Sequence, residues 1–132
     1  MKKLQIQFST GYNWKYNLTH PWEIPKHIYY EVRYFIQRGL YGYADSDTWS
    51  LDYYLSSWLP SAIRRLQGAH GHPCGLTQKK WEIILERIAE GFEAGIKIEE
   101  NCLYKGKEFA LLQRKEKYGL KLFTEYFHNL WD

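Results

Sequence analysis

The chain has 132 residues, enough for one domain that buries a core without metals or disulfides. Aromatic residues make up 18%, twelve Tyr and six Trp among them, more rings than such a core consumes, so a share is expected at interfaces or ligand sites. A net charge of +3 permits a phosphate-bearing partner but falls short of a dedicated, sequence-specific DNA binder, and no apolar run nears the roughly 18 residues of a membrane span.

The first residues, MKKLQIQF, alternate: Leu4, Ile6 and Phe8 face one way, Gln5 and Gln7 the other. That period is a strand's, and it is not the apolar block of a signal peptide. Gly11 and Asn13 offer a turn, and residues 14–18 a return strand. A small β-hairpin is therefore expected within residues 1–20, with a helical body over residues 26–132.

Past Pro21 and Pro25, Ile28, Val32, Phe35 and Ile36 recur at helical steps, and Gly39 is the expected stop. A second helix is expected to open near Asp45–Asp47, with Leu51, Leu55, Trp58, Leu59, Ala62 and Leu66 as its apolar stripe and a kink or break at Pro60. GAHGHPCGL is a loop by its glycines and proline. Thr77 is placed to cap a third helix that buries Trp81, Ile84, Leu85, Ile88 and Phe92, with Gly91 and Gly95 weakening its end. A fourth carries Phe109, Leu112, Leu120, Phe123, Phe127 and Leu130. The expectation is a single, mainly α domain over residues 1–132: four amphipathic helices in a bundle-like core, plus the hairpin.

Two stretches carry candidate chemistry. YGYADSDTWSLDYY packs three acids among five rings at a helix start. Asp45 and Asp47 suit an N-terminal cap, where carboxylates accept from free N–H groups and meet the positive end of the dipole. Asp52 lies too deep to cap and is expected to pair with Arg33 or Arg38. The alternative is a recognition patch, in which Tyr43, Trp49 or Tyr53 stacks on a flat ligand and the acids accept its donors. Asp45-x-Asp47-x4-Asp52 offers too few oxygens for a hard cation.

The second stretch, GAHGHPCGLTQKKW, joins His70 and His72 to a helix start with Lys80 in its first turn, and Arg64 and Arg65 approach from the preceding helix. Zinc would want four ligands in spaced pairs, and Cys74 and Cys102 do not supply them. They read as two reduced thiols of a cytoplasmic protein. A phosphate site is the better motivated reading, set against a plain helix–helix turn with solvated lysines. Glu82, Glu86, Glu90 and Glu93 read as a solvated acidic face. GxSxG, HExxH, GxGxxG and a Walker loop are all missing, so no catalytic residue, metal or cofactor is assigned.

DSDTWSLDYYLSSWLPSAIRRLQ, HGHPCGLTQKKWEIILERIAEGFE and GLKLFTEYFHNLWD together resemble a family of small bacteriophage-encoded proteins. It shares the acid-x-acid start with Trp and Leu-Asp, the Gly-x-Pro loop, the Trp-led helix and a terminal Leu-Trp-Asp, over roughly residues 33–132. The resemblance implies a phage accessory protein acting in the host cytoplasm, and no particular activity. Combined with the ring excess, it gives the first expectation: a non-enzymatic homo-oligomer that sequesters a nucleotide-derived host immune signal, an anti-defence sponge. Its ligand site would draw on Arg33, Arg38, Tyr43, Asp45, Asp47, Trp49, Asp52, Tyr53, Arg64, Arg65, His70, His72 and Lys80. The alternatives are a protein–protein module that inhibits a host factor or serves phage assembly, and a nucleotide hydrolase using His70 or His72.

Overall fold

Helices account for all the regular secondary structure among the described residues, which in this computed structural model are 21–69, 71–100 and 105–131. The expected N-terminal hairpin and Cys102 lie outside them. The chain divides into two compact units, Met1–Leu51 and Asp52–Asp132. No described helix is long and apolar enough to cross a membrane.

In the first unit a 3-10 turn, Pro21–Glu23, leads into α1, Ile24–Tyr41. Pro25 sits in its first turn, where a missing N–H costs nothing. The helix runs through Gly39, the expected stop, and ends two residues later. Gly42 takes the left-handed conformation at φ 80° and its N–H donates to the Arg38 carbonyl at 3.0 Å. Nothing on α1 is buried. Asp45–Ser50 then forms a 3-10 run, so the expected second helix begins later than its acids suggest.

The second unit holds α2 (Leu51–Leu66, its first residue shared with the boundary), α3 (Gln78–Glu100) and α4 (Gly106–Glu125). α2 continues through Pro60 without a break. Its buried residues are Pro60 and Ile63, while Leu51, Leu55 and Trp58 of the expected stripe are exposed. Leu59 and Leu66 do pack on the core. Thr77 caps α3 as expected, its hydroxyl accepting from the Lys80 N–H at 3.4 Å. Trp81, Leu85, Ile88 and Phe92 are buried along α3, joined by Ala89.

α3 and α4 lie antiparallel and touch backbone to backbone. A Cβ built on Gly119 would stand 2.6 Å from the Gly91 Cα and 2.9 Å from the Arg87 carbonyl oxygen. A Cβ on Gly91 would stand 2.7 Å from the Gly119 Cα. No side chain fits there, so both glycines are the contact itself and not helix weakeners. From this crossing the rings fall into register: Phe92 meets Phe123 edge-on at 5.2 Å, and Trp81 meets Tyr126 at 5.6 Å. On α4 the buried positions are Gly119 and Leu122, whereas Leu120 and Phe127 of the expected stripe are exposed.

Gly119→Ala is expected to destabilise the second unit by about 1–3 kcal/mol through overpacking. Gly39→Ala, which meets nothing within 4 Å, should be neutral or slightly stabilising in α1. Thermal melts of both variants check the contrast, and equal melting temperatures would count against the crossing.

Candidate functional site

The acid-rich stretch closes on the arginines of its own unit. Asp47 is 5% exposed. Its Oδ2 accepts from Arg38 Nε and from the Ala44 N–H, both at 2.8 Å, and its Oδ1 accepts from Arg38 Nη2 at 2.5 Å. The carboxylate thus turns back to tie the backbone ahead of the 3-10 run while a two-point guanidinium clamp neutralises it. Burial pushes the Asp47 carboxyl up, but Arg38, the Ala44 N–H and the Ser46 hydroxyl together hold it below its ordinary value. Asp45 accepts from Arg33 Nη2 and Gln37 Nε2, each at 2.8 Å, and its own N–H donates to Gln37 Oε1 at 3.1 Å. Here the ring is displayed: Trp49 is 93% exposed. Tyr43 is exposed too, its ring 6.5 Å from that of Tyr41.

Within the second unit the expected ligand residues are again tied to the fold. Arg64 donates to Glu86 from Nη2 at 2.8 Å and to Glu93 from both terminal nitrogens, the Nη2 bond being 3.1 Å. Gln67 adds a bond to Glu86 at 3.0 Å. Glu93 and then Glu86 raise the Arg64 pKa further above its already high value, and Arg64 in turn holds Glu86 below the usual carboxylate range against the pull of desolvation. Glu86 and Glu93 are therefore a clasp between α2 and α3, where the sequence suggested a solvated face. Tyr53 donates from its hydroxyl to Glu100 Oε1 at 2.9 Å. Asp52 does not find an arginine; it shares a hydrogen bond with Glu99. Partial desolvation and the Asp52 carboxylate raise the Glu99 pKa, with repulsion from Glu116 added.

The glycine-histidine loop supplies less. Leu76 N–H donates to the Pro73 carbonyl at 3.1 Å across a turn whose Gly75 takes φ 86°. His72, Arg65 and Lys80 are exposed, and His72 Nδ1 lies 3.2 Å from the Pro73 carbonyl oxygen. His70 lies outside the described residues. Cys74 is an exposed free thiol, and among the described residues no three His, Cys, Asp or Glu side chains gather for a metal ion.

An open cleft of about 440 Å³ lies elsewhere, on α4. Ala110, Gln113, Arg114, Lys117, Tyr118 and Lys121 line it. These positions share the face opposite Gly119 and Leu122, and their i, i+3, i+4, i+7 spacing is the signal by which the sequence alone offers them. No family model, curated protein or solved structure matches the chain.

Two acids give opposite pH behaviour. A carboxyl held low in the fold stabilises it fully above its ordinary pKa and progressively less as pH falls through the lowered value. Asp47→Asn is therefore expected to cost the first unit about 1–3 kcal/mol at pH 7, and the penalty should shrink as pH falls through the lowered Asp47 value. Amide hydrogen exchange across residues 42–51 reads it. Glu99, held high, loses its stabilisation as pH rises through the raised value. Glu99→Gln should thus raise the melting temperature at pH 7 and lose that advantage toward pH 4. Identical melts at neutral pH would refute the acid pair.

Proposed function

We propose that the protein is a non-enzymatic phage accessory protein that works as an interaction module and self-associates through α1. One observation carries the reading. Ile28, Val32, Phe35, Ile36 and Leu40 form a single stripe over more than three turns of α1, and they are 58%, 53%, 78%, 52% and 70% exposed. An eighteen-residue helix that buries nothing is marginal in water, since tertiary burial supplies most helix stability. Contiguous exposed apolar surface of this kind marks association sites.

A second copy of the chain is the partner argued for. The stripe has no charge along its centre, and a uniform apolar surface is self-complementary about a two-fold axis. Fully burying a large exposed side chain contributes about 1.5–3 kcal/mol, and pairing two of these helices recovers the part of that which each half-exposed side chain of the stripe still lacks. Trp49 gives the same unit a further displayed ring, suited to anchoring a host or phage protein once the oligomer has formed.

Sequestration of a nucleotide-derived signal at the acidic-aromatic stretch takes second place. Of its expected phosphate ligands, Arg33, Arg38 and Arg64 already hold Asp45, Asp47 and the Glu86–Glu93 pair, which leaves only Arg65 and Lys80 outside an ion pair among the described residues. A ligand there has to break those pairs first.

Light scattering on a size-exclusion column tests the association. The unaltered chain is expected to run as a dimer or larger, and Phe35→Glu as a monomer with its second unit still folded. A chain that stays monomeric at high micromolar concentration sinks the proposal.

A further inference from the structure

The cleft on α4 belongs to none of the interactions described above. Arg114, Lys117 and Lys121 stand in a line along it, and each is exposed. Among the described residues none of the three is ion-paired. Glu125, one turn beyond Lys121, makes no ion pair with it either. Four other arginines, Arg33, Arg38, Arg64 and Arg87, each meet a carboxylate, while Arg65, like Arg114, makes no ion pair among the described residues. Like charges at helical spacings of three and four repel one another. A helix that stacks three cations on one stripe, with no acid among them, leaves that repulsion for a ligand to relieve.

The shape narrows the ligand. A straight helix sets Arg114 and Lys121 about 10 Å apart along its axis, with Lys117 between them. A run of cations in a line suits a run of phosphates in a line. Tyr118 flanks the line and is 53% exposed, so its ring offers a flat face beside the charges. The face is open, so a ligand on it keeps much of its surface in water.

We infer that the α4 face of Arg114, Lys117, Tyr118 and Lys121 is a binding site for a nucleoside polyphosphate. The three cations take successive phosphates and Tyr118 stacks on the base. The site is independent of the apolar stripe on α1 and holds whether or not the chain self-associates.

Calorimetric titration of the full chain with ATP, begun at about 50 mM salt, tests the site. ATP is expected to bind, more weakly as salt rises. Lys117→Gln should weaken it roughly tenfold. Tyr118→Leu should weaken ATP while leaving inorganic triphosphate unchanged, and Lys107→Gln, on the same helix outside the cleft, should change neither. The preference for ATP over triphosphate on the unaltered chain decides the role of the ring without any variant. Three results overturn the inference. The first is no heat with ATP or triphosphate at low salt. The second is equal binding of both with no effect of Tyr118→Leu, which leaves a plain polyanion surface. The third is an oligothymidine that outcompetes ATP, which makes the face a single-strand nucleic-acid site.

Discussion

The second unit depends on two glycines that let two helices touch. At Gly91 and Gly119 the backbones of α3 and α4 approach to a distance no Cβ tolerates. A close crossing fixes the register of everything on either side of it. Phe92 then stands edge-on to Phe123 and Trp81 to Tyr126, and Leu122 enters the cluster of Ile63, Leu85, Ile88 and Ala89. Gly95 repeats the theme one turn on, where the Glu116 side chain already lies 3.2 Å from where a Cβ would be. α2 is added to this pair through Leu59, Ile63 and Leu66, and the Arg64 clasp to Glu86 and Glu93 sets its position along α3.

Charge in this protein is divided between pairing and display. The acids of the 45–52 stretch are engaged in structural work: buried Asp47 and exposed Asp45 secure the turn after α1, and Asp52 hydrogen-bonds with Glu99. Partly exposed ion pairs each contribute little, but the Asp47 clamp is buried and two-pointed, and Arg64 makes five hydrogen bonds to two carboxylates. These are the pairs that resist competition by a ligand. The cations of α4 have no such obligation, which gives them a different chemical availability from Arg38 or Arg64.

Apolar surface is divided in the same way. The second unit buries Ile63, Trp81, Leu85 and Ile88 in a core while leaving Leu55, Trp58, Leu111 and Phe127 exposed, whereas α1 of the first unit has no buried residue and displays Phe35 and Leu40. A folded chain has no physical reason to order a helix with an unspent apolar stripe unless something covers it. The two display surfaces differ in chemistry, one apolar and one cationic, so the associations proposed for them are independent of one another.

Periodicity by itself established the helices and much of the α3 face, since Trp81, Leu85, Ile88 and Phe92 repeat at the spacing a single buried stripe demands. Thr77 as a cap and the GAHGHPCGL segment as a loop were equally legible, because both are consequences of local backbone chemistry. Tertiary contact decided the rest. Gly39 and Gly91 are alike as letters in a helix, yet one meets open space and the other another backbone. Ile63 and Leu122 are buried in place of Leu55 and Leu120 because an amphipathic pattern has more than one apolar edge, and the neighbouring helix selects which edge it covers. The partners of Arg64 lie 22 and 29 residues away, at a separation local spacing does not encode. Which charges are consumed by the fold, and which remain for a ligand, is likewise settled only when distant helices meet.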